Sequence, residues 1–196
     1  MTETITRMYD TYQHATGAVN GLKSQGFTDD QISLLAHAGE HRAMSDTAVG
    51  DGVGTGAGVG GALGAGAGLL TGLGILAIPG VGPVVAAGWL AATAAGAVAG
   101  ALAGGATGGI VGSMMDGGVP EHDAHVYAEG VRRGGAVVTV RSPDDRAPEA
   151  IRVLDSFGPT DPALRRSEYQ REGWVGFDYT APMPKSDPPR TTMPPI

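Results

Sequence analysis

Histidines and carboxylates are the residues of this chain best suited to chemistry. His37 and His41 lie four apart with Glu40 between them. His122 and His125 lie three apart, close to Glu121, Asp123 and Glu129. Neutral imidazole combined with carboxylate suits zinc and similar ions. Both groups sit in polar flanks, and neither presents a closed ligand set. A solvated face is the simpler reading, and no metal site is assigned; a metal-binding protein stays as the weakest of the function classes. A formal G-x-G-x-x-G falls at Gly56, Gly58 and Gly61, but so glycine-rich a run nearly guarantees such a match. No strand is expected before it, and no acidic residue follows until Asp116 to hold a ribose. A phosphate-loop lysine is absent. Cysteine is absent too, which removes disulfides, thiol catalysis and thiolate-bound zinc. No paired carboxylates suggest acid–base work. Arg132-Arg133 and Arg165-Arg166 read as surface charges at helix ends. These residues predict no enzyme, no cofactor and no small-molecule substrate.

Charge narrows the partners. The formal net charge is −7, and Lys23 and Lys185 are the only lysines. Phosphate backbones need clustered basic residues, so no nucleic acid is expected. Met1-Thr-Glu-Thr4 has no basic region leading into an apolar run, so no secretory signal peptide is expected either. Aromatics make up 5% of the chain, which predicts a small soluble core.

The strongest pattern lies in the middle. Between Asp51 and Asp116 no residue is Asp, Glu, Lys, Arg or His, in a chain that is 17% charged. Ile78-Pro-Gly-Val-Gly-Pro83 splits this run with a turn signal, placing Pro79, Gly80, Gly82 and Pro83 in a hairpin turn. The flanking arms, 57–78 and 84–113, would span about 33 and 45 Å as helices, against a bilayer core of about 30 Å. Glycines recur every four residues. Gly52, Gly56, Gly60, Gly64, Gly68 and Gly72 mark the first arm. Gly88, Ala92, Gly96, Gly100, Gly104, Gly108 and Gly112 mark the second. Residues four apart share a helix face, so each arm would carry a groove for close backbone approach. Glycine costs about 1 kcal/mol per helix-interior position relative to alanine, so close packing must offset it. A flexible linker would not carry Leu69, Leu70, Leu73, Ile75, Leu76, Val84, Val85, Trp89, Leu90 and Leu102. The pattern predicts a helical hairpin that self-associates through Gly56, Gly60, Gly64, Gly68, Gly72, Gly96, Gly100, Gly104 and Gly108. Its setting is either a lipid bilayer, with Trp89 at the interface near the tip, or a soluble homo-oligomer.

The remaining elements must position that hairpin. Ile5 to Tyr9 reads as a strand. Tyr12, Ala15, Val19 and Leu22 form one helix face, ended by Gly26, and Gln31 to Ala36 reads as a second strand. Beyond Asp116, a helix is expected from Pro120 to Gly134, with Glu121 and Asp123 in its first turn. Ala136 to Val140 reads as a strand, Ala147 to Leu154 as a helix ending at Gly158, and Trp174 to Tyr179 as a last strand. From Ala181 onward six of sixteen residues are proline, which reads as a disordered tail. The expected architecture is α+β, a ferredoxin-like or related β-α-β/α-β-α domain. Its first half is 1–50, its inserted hairpin 51–116, its second half 117–180 and its tail 181–196.

Three stretches resemble the general stress protein 17M-like family of bacteria, which includes low-temperature-induced proteins. They are Gly26-Phe27 with Asp30-Gln-Ile-Ser-Leu-Leu35, the hairpin with Ala77-Ile-Pro-Gly-Val-Gly-Pro83, and Val119-Pro-Glu121 through Gly130-Val-Arg-Arg-Gly-Gly135 to Val137-Val-Thr-Val140. The resemblance spans about residues 1–158. It implies a general stress role, often with membrane-spanning segments, and no catalytic residues. The expected function is therefore a non-enzymatic, membrane-associated stress protein with both termini cytoplasmic. The alternative is a soluble cytoplasmic oligomer or scaffold whose hairpins bury one another.

Overall fold

The computed structural model describes residues 2–38, 74–78, 81–89 and 110–178. In chain order the elements are β1 (Thr2–Tyr9), α1 (Tyr12–Ser24), β2 (Ile32–His37), β3 (Gly74–Ile78), β4 (Gly82–Ala87), α2 (Ile110–Asp116), α3 (Glu121–Arg132), β5 (Ala136–Pro143), α4 (Ala147–Asp155) and α5 (Pro162–Arg171). The class is α+β, as the pattern predicts. The strands form one sheet in the order β1-β5-β2-β4-β3, and every neighbouring pair is antiparallel. The two strands of the opening β-α-β unit run parallel to each other with β5 inserted between them.

Alternation along the strands sorts side chains onto two buried faces. Ile5, Tyr9, Ile32, Leu34, Ala36, Val138 and Val140 face a layer made by α1 and α4. Met8, Leu35, Val84, Ala86 and Val137 face α2, α3 and the chain that follows α5. The central strands are therefore buried on both sides, and their polar side chains find partners inside. Thr6 and Thr139, opposite in the β1–β5 register, share a hydrogen bond of 3.1 Å.

Local sequence explains most helix limits. Thr11 caps α1 by accepting the His14 N–H, and Asp161 caps α5 by accepting from Ala163 and Leu164, with Pro162 in the first turn. The α1 chain exits where expected. The Phe27 N–H bonds back to the Leu22 carbonyl, and Gly26 takes a φ of +83°.

Three expectations need correction. The arms of the central hairpin are not helical beside the turn: Gly74–Ile78 and Gly82–Ala87 are strands, paired Ala77↔Pro83 and Ile78↔Gly82. The chain does reverse between Ile78 and Gly82, so the turn itself was legible, and Pro79 and Gly80 lie outside the described residues. Ile75, Ile78, Val84 and Val85 are β-branched and suit a sheet. Pro83 lies beyond the last β2 pair, His37↔Val84, so its missing N–H costs no β2 ladder bond. The four-residue glycine spacing is broken at Leu76 and Val84, which lie inside these two strands. Second, residues 174–178 form no strand; they pack irregularly, with Phe177 buried against α3's layer. Third, α5 was not anticipated. The tail from 181 lies outside the described residues.

Candidate self-association site

Two segments join this sheet, residues 39–73, charge-free from Gly52 onward, and 90–109, charge-free throughout, and the expected packing glycines Gly56, Gly60, Gly64, Gly68, Gly72, Gly96, Gly100, Gly104 and Gly108 all fall within them, outside the described residues. Their points of attachment are described, and the sheet register fixes those points. β2 ends at His37 opposite Val84, the start of β4. β3 begins at Gly74 opposite Ala86, the end of β4. Residues 39–73 thus leave one end of the sheet and rejoin it at the other end, two strands across. Among the described residues no helix is long and apolar enough to cross a membrane.

Residues 90–109 depart from a rigid corner. Gly88 has a φ of +81°, and a Cβ there would stand 2.1 Å from the Ile32 carbonyl oxygen. Ser33 donates its hydroxyl to the Ala87 carbonyl at 2.8 Å, fixing the strand end. Trp89 lies beneath Arg141 of β5, whose guanidinium carbon is 3.5 Å from the ring centroid. The chain comes back through α2, where Ile110, Val111 and Met114 are buried, and Gly117 meets the Trp89 ring. A Cβ on Gly117 would stand 2.5 Å from that ring. Both ends of the 90–109 segment are therefore tied to one corner of the sheet. Of the register residues that are described, Gly88 serves this corner and Gly112 lies inside α2.

Glycines four apart do make close helix contacts elsewhere in the molecule, on α1. Gly17 and Gly21 of α1 face Phe157 at the end of α4, and Cβ atoms there would approach its ring to 2.8 and 2.9 Å. The signal is the same four-residue spacing, Gly17 and Gly21, beside the apolar face of the same helix.

The histidine and carboxylate groups are separately engaged. Asp123 bonds Arg166 of α5 at 2.9 Å, and His122 is exposed beside it at 3.4 Å. The Nδ1 of His125 accepts the Phe177 N–H at 3.2 Å. Burial lowers the His37 pKa below the ordinary imidazole value. Glu129 is fully buried and grips Arg132 by two bonds, 2.8 and 2.6 Å, and Arg133 by a third at 2.6 Å. Arg132 and Arg133 are therefore partners of a buried carboxylate rather than plain surface charges. Arg165 is likewise paired with Asp10 and Glu168. Among the described residues no three of these side chains converge as metal ligands.

No protein-family model, curated protein or solved structure matches the chain.

Proposed function

We propose that this chain is a non-enzymatic, self-associating stress-response protein. Its sheet domain presents two glycine-grooved segments that pack on those of other copies in the cytoplasm. The stress role rests on the resemblance of Gly26–Leu35, Ala77–Pro83 and Val119–Val140 to general stress proteins. The choice of a soluble assembly over a bilayer rests on one observation, the antiparallel pairing of β4 with both β2 and β3. Because β2, β3 and β4 share a sheet, any segment that entered a bilayer would have to come back to the side it left. Out and back as helices takes two spans of about 20 residues each. Only 35 residues separate Ala38 from Gly74, and only 20 separate Trp89 from Ile110. These lengths favour grooves that bury one another.

Fractionation combined with substitution tests the reading. The protein is expected in the soluble pool as one oligomeric species. Leu at Gly60, Gly64 and Gly68 is expected to abolish that oligomer by holding backbones apart, while Leu at Gly58 and Gly66, off the register, leaves it intact. Retention on membranes after an alkaline wash, with release only by detergent, would restore the bilayer reading. Equal assembly of the two variants would remove the groove.

A further inference from the structure

The chain that follows α5 turns back onto α3. It leaves the helix at Gly173, where φ is +87°, and the Trp174 N–H bonds the Tyr169 carbonyl at 3.0 Å. Residues 174–178 then form neither helix nor strand. Phe177 fastens this strap twice. Its ring is buried in the core on the α2–α3 side. Its N–H donates to Nδ1 of His125, a half-buried side chain of α3, at 3.2 Å. Trp174 packs edge-on to Tyr169 with ring centroids 5.7 Å apart. Between Trp174 and Phe177 the Val175 side chain stands 98% exposed, so the strap touches the body on either side of it and bows outward there.

The acceptor in the His125 bond is also a base. Nδ1 has one in-plane lone pair, which is free to accept only while that nitrogen carries no proton. A proton on Nδ1 turns the acceptor into a donor facing the Phe177 N–H. Two donors cannot pair, and a part-buried N–H without an acceptor is costly.

We propose that His125 is a proton-operated latch. Neutral, it holds the strap 174–178 on α3; protonated, it releases the strap while the sheet and helices stay folded. The direction follows from competition. The docked strap occupies the lone pair that the proton needs, so the released form takes up the proton more readily and acid favours release. Mild acid suffices, because imidazole is the side chain that changes charge between about pH 5 and 8. Other charges surround the latch. On α3, Glu121 and Glu129 lie one turn to either side, with His122 and Asp123 nearer in sequence. Glu129 is engaged with Arg132 and Arg133, and Asp123 with Arg166 of α5. α5 also brings Arg165, Glu168 and Arg171, with Glu172 just beyond it, and the strap brings Asp178. α2, β2 and β5, also packed on α3 or beside it, bring Asp116, His37 and Arg141. Tyr127 and Tyr169 stay neutral in this range, since burial raises both to about 12. These groups act on the ring through space, and none alters what a proton on Nδ1 does to the Phe177 bond. The latch involves neither glycine segment and stands or falls without self-association.

Amide hydrogen exchange of the full chain tests it. The readout is the protection factor of the Phe177 amide, corrected for the intrinsic pH dependence of exchange. An imidazole free in water has a pKa near 6.5, so at about pH 5 the ratio of released to docked strap rises by up to about thirtyfold over its value at about pH 8. Phe177 protection is expected to fall by that order, while the Val138 amide, in the inner strand β5, keeps its own. His125→Asn retains an acceptor and has no proton to gain, so its Phe177 protection is expected not to vary with pH. His125→Ala, with no acceptor, is expected to show low protection at both pH values. His37→Asn is expected to retain the fall, which separates the latch from the other half-buried histidine. Phe177 protection that is equal at the two pH values in the unaltered chain would overturn the proposal. So would a fall that persists in His125→Asn, full protection in His125→Ala, or a fall abolished by His37→Asn. A parallel fall at Val138 would also overturn it, as it would report global unfolding.

Discussion

At the residue scale, glycine has three different jobs here, and their costs separate them. Gly26 and Gly88 both sit at positive φ, +83° and +81°. Around Gly26 a Cβ would meet nothing within 4 Å, whereas at Gly88 it would collide with the Ile32 carbonyl. Gly26→Ala is therefore expected to lose only the left-handed backbone cost, about 1 kcal/mol. Gly88→Ala must also displace β2 backbone, and about 3 kcal/mol or more is expected. Urea unfolding of the two variants measures the difference, and equal losses would mean that the Gly88 corner yields easily. Gly17 and Gly21 do the third job, close packing without unusual φ. They show on a small scale the spacing logic proposed for the glycine segments.

At the scale of elements, α5 is held less by apolar burial than by ions. Tyr169 is its one buried side chain, and the helix is fastened by Arg165 to Asp10, Arg166 to Asp123, and Arg133 to Glu172. Arg133 also lies over the Tyr169 ring, 4.2 Å from its centroid. Glu129 organises this junction, since its buried carboxylate aims both Arg132 and Arg133. Glu129→Gln would take one counter-charge from both guanidinium groups, leaving Arg133 to Glu172, and breaking a buried pair in this way costs about 3 kcal/mol. The expected outcome is that loss in global stability, with protease cleavage appearing first within α5. Unchanged stability would show that the arginines re-pair with solvent at no cost. The segment Gly130-Val-Arg-Arg-Gly-Gly135 carried part of the family resemblance, and its structural role is this junction together with a close approach. Gly130 lies under Met8, where a Cβ would stand 2.3 Å from the sulfur.

At the scale of the molecule, one sheet serves two cores, and alkaline titration reports whether they act as a unit. Tyr9 and Tyr12 belong to the α1–α4 side, and Tyr127 and Tyr169 to the α2–α3 side. Burial pushes the Tyr12, Tyr127 and Tyr169 phenols up to about 12, and Tyr9 higher still. An unfolded chain ionises its tyrosines near pH 10. Between about pH 10 and 12 the unfolded state has therefore released protons that the folded state retains, so stability falls as pH rises through that window. Four of the five tyrosines are expected to ionise together, at the pH where the far-ultraviolet circular dichroism collapses. Two separate steps of phenolate absorbance would mean that the faces unfold independently.

Much of the fold was legible locally. Apolar spacing and exit glycines marked α1 and α3, short runs read as strands marked β1, β2 and β5, and the proline–glycine cluster placed the reversal between Ile78 and Gly82. Composition alone set apart the charge-free middle and its four-residue glycine spacing, because these are properties of the chain and need no partner. What the sequence could not decide was the state of 74–87. A strand is stabilised by neighbours distant in sequence, and β4 finds β2 about fifty residues away, a pairing no local window contains. Placement of Glu129 was hidden for the same reason. Its burial depends on two arginines one turn on, packed by a helix near residue 170, so a carboxylate that reads as surface becomes a core anchor only when α3 and α5 meet. Gly88, too, resembled any other member of the glycine series until β2 put a carbonyl where its side chain would be. The sequence determined which residues could pack closely, and tertiary structure decided which of them did, because close packing belongs to pairs of segments rather than to either one.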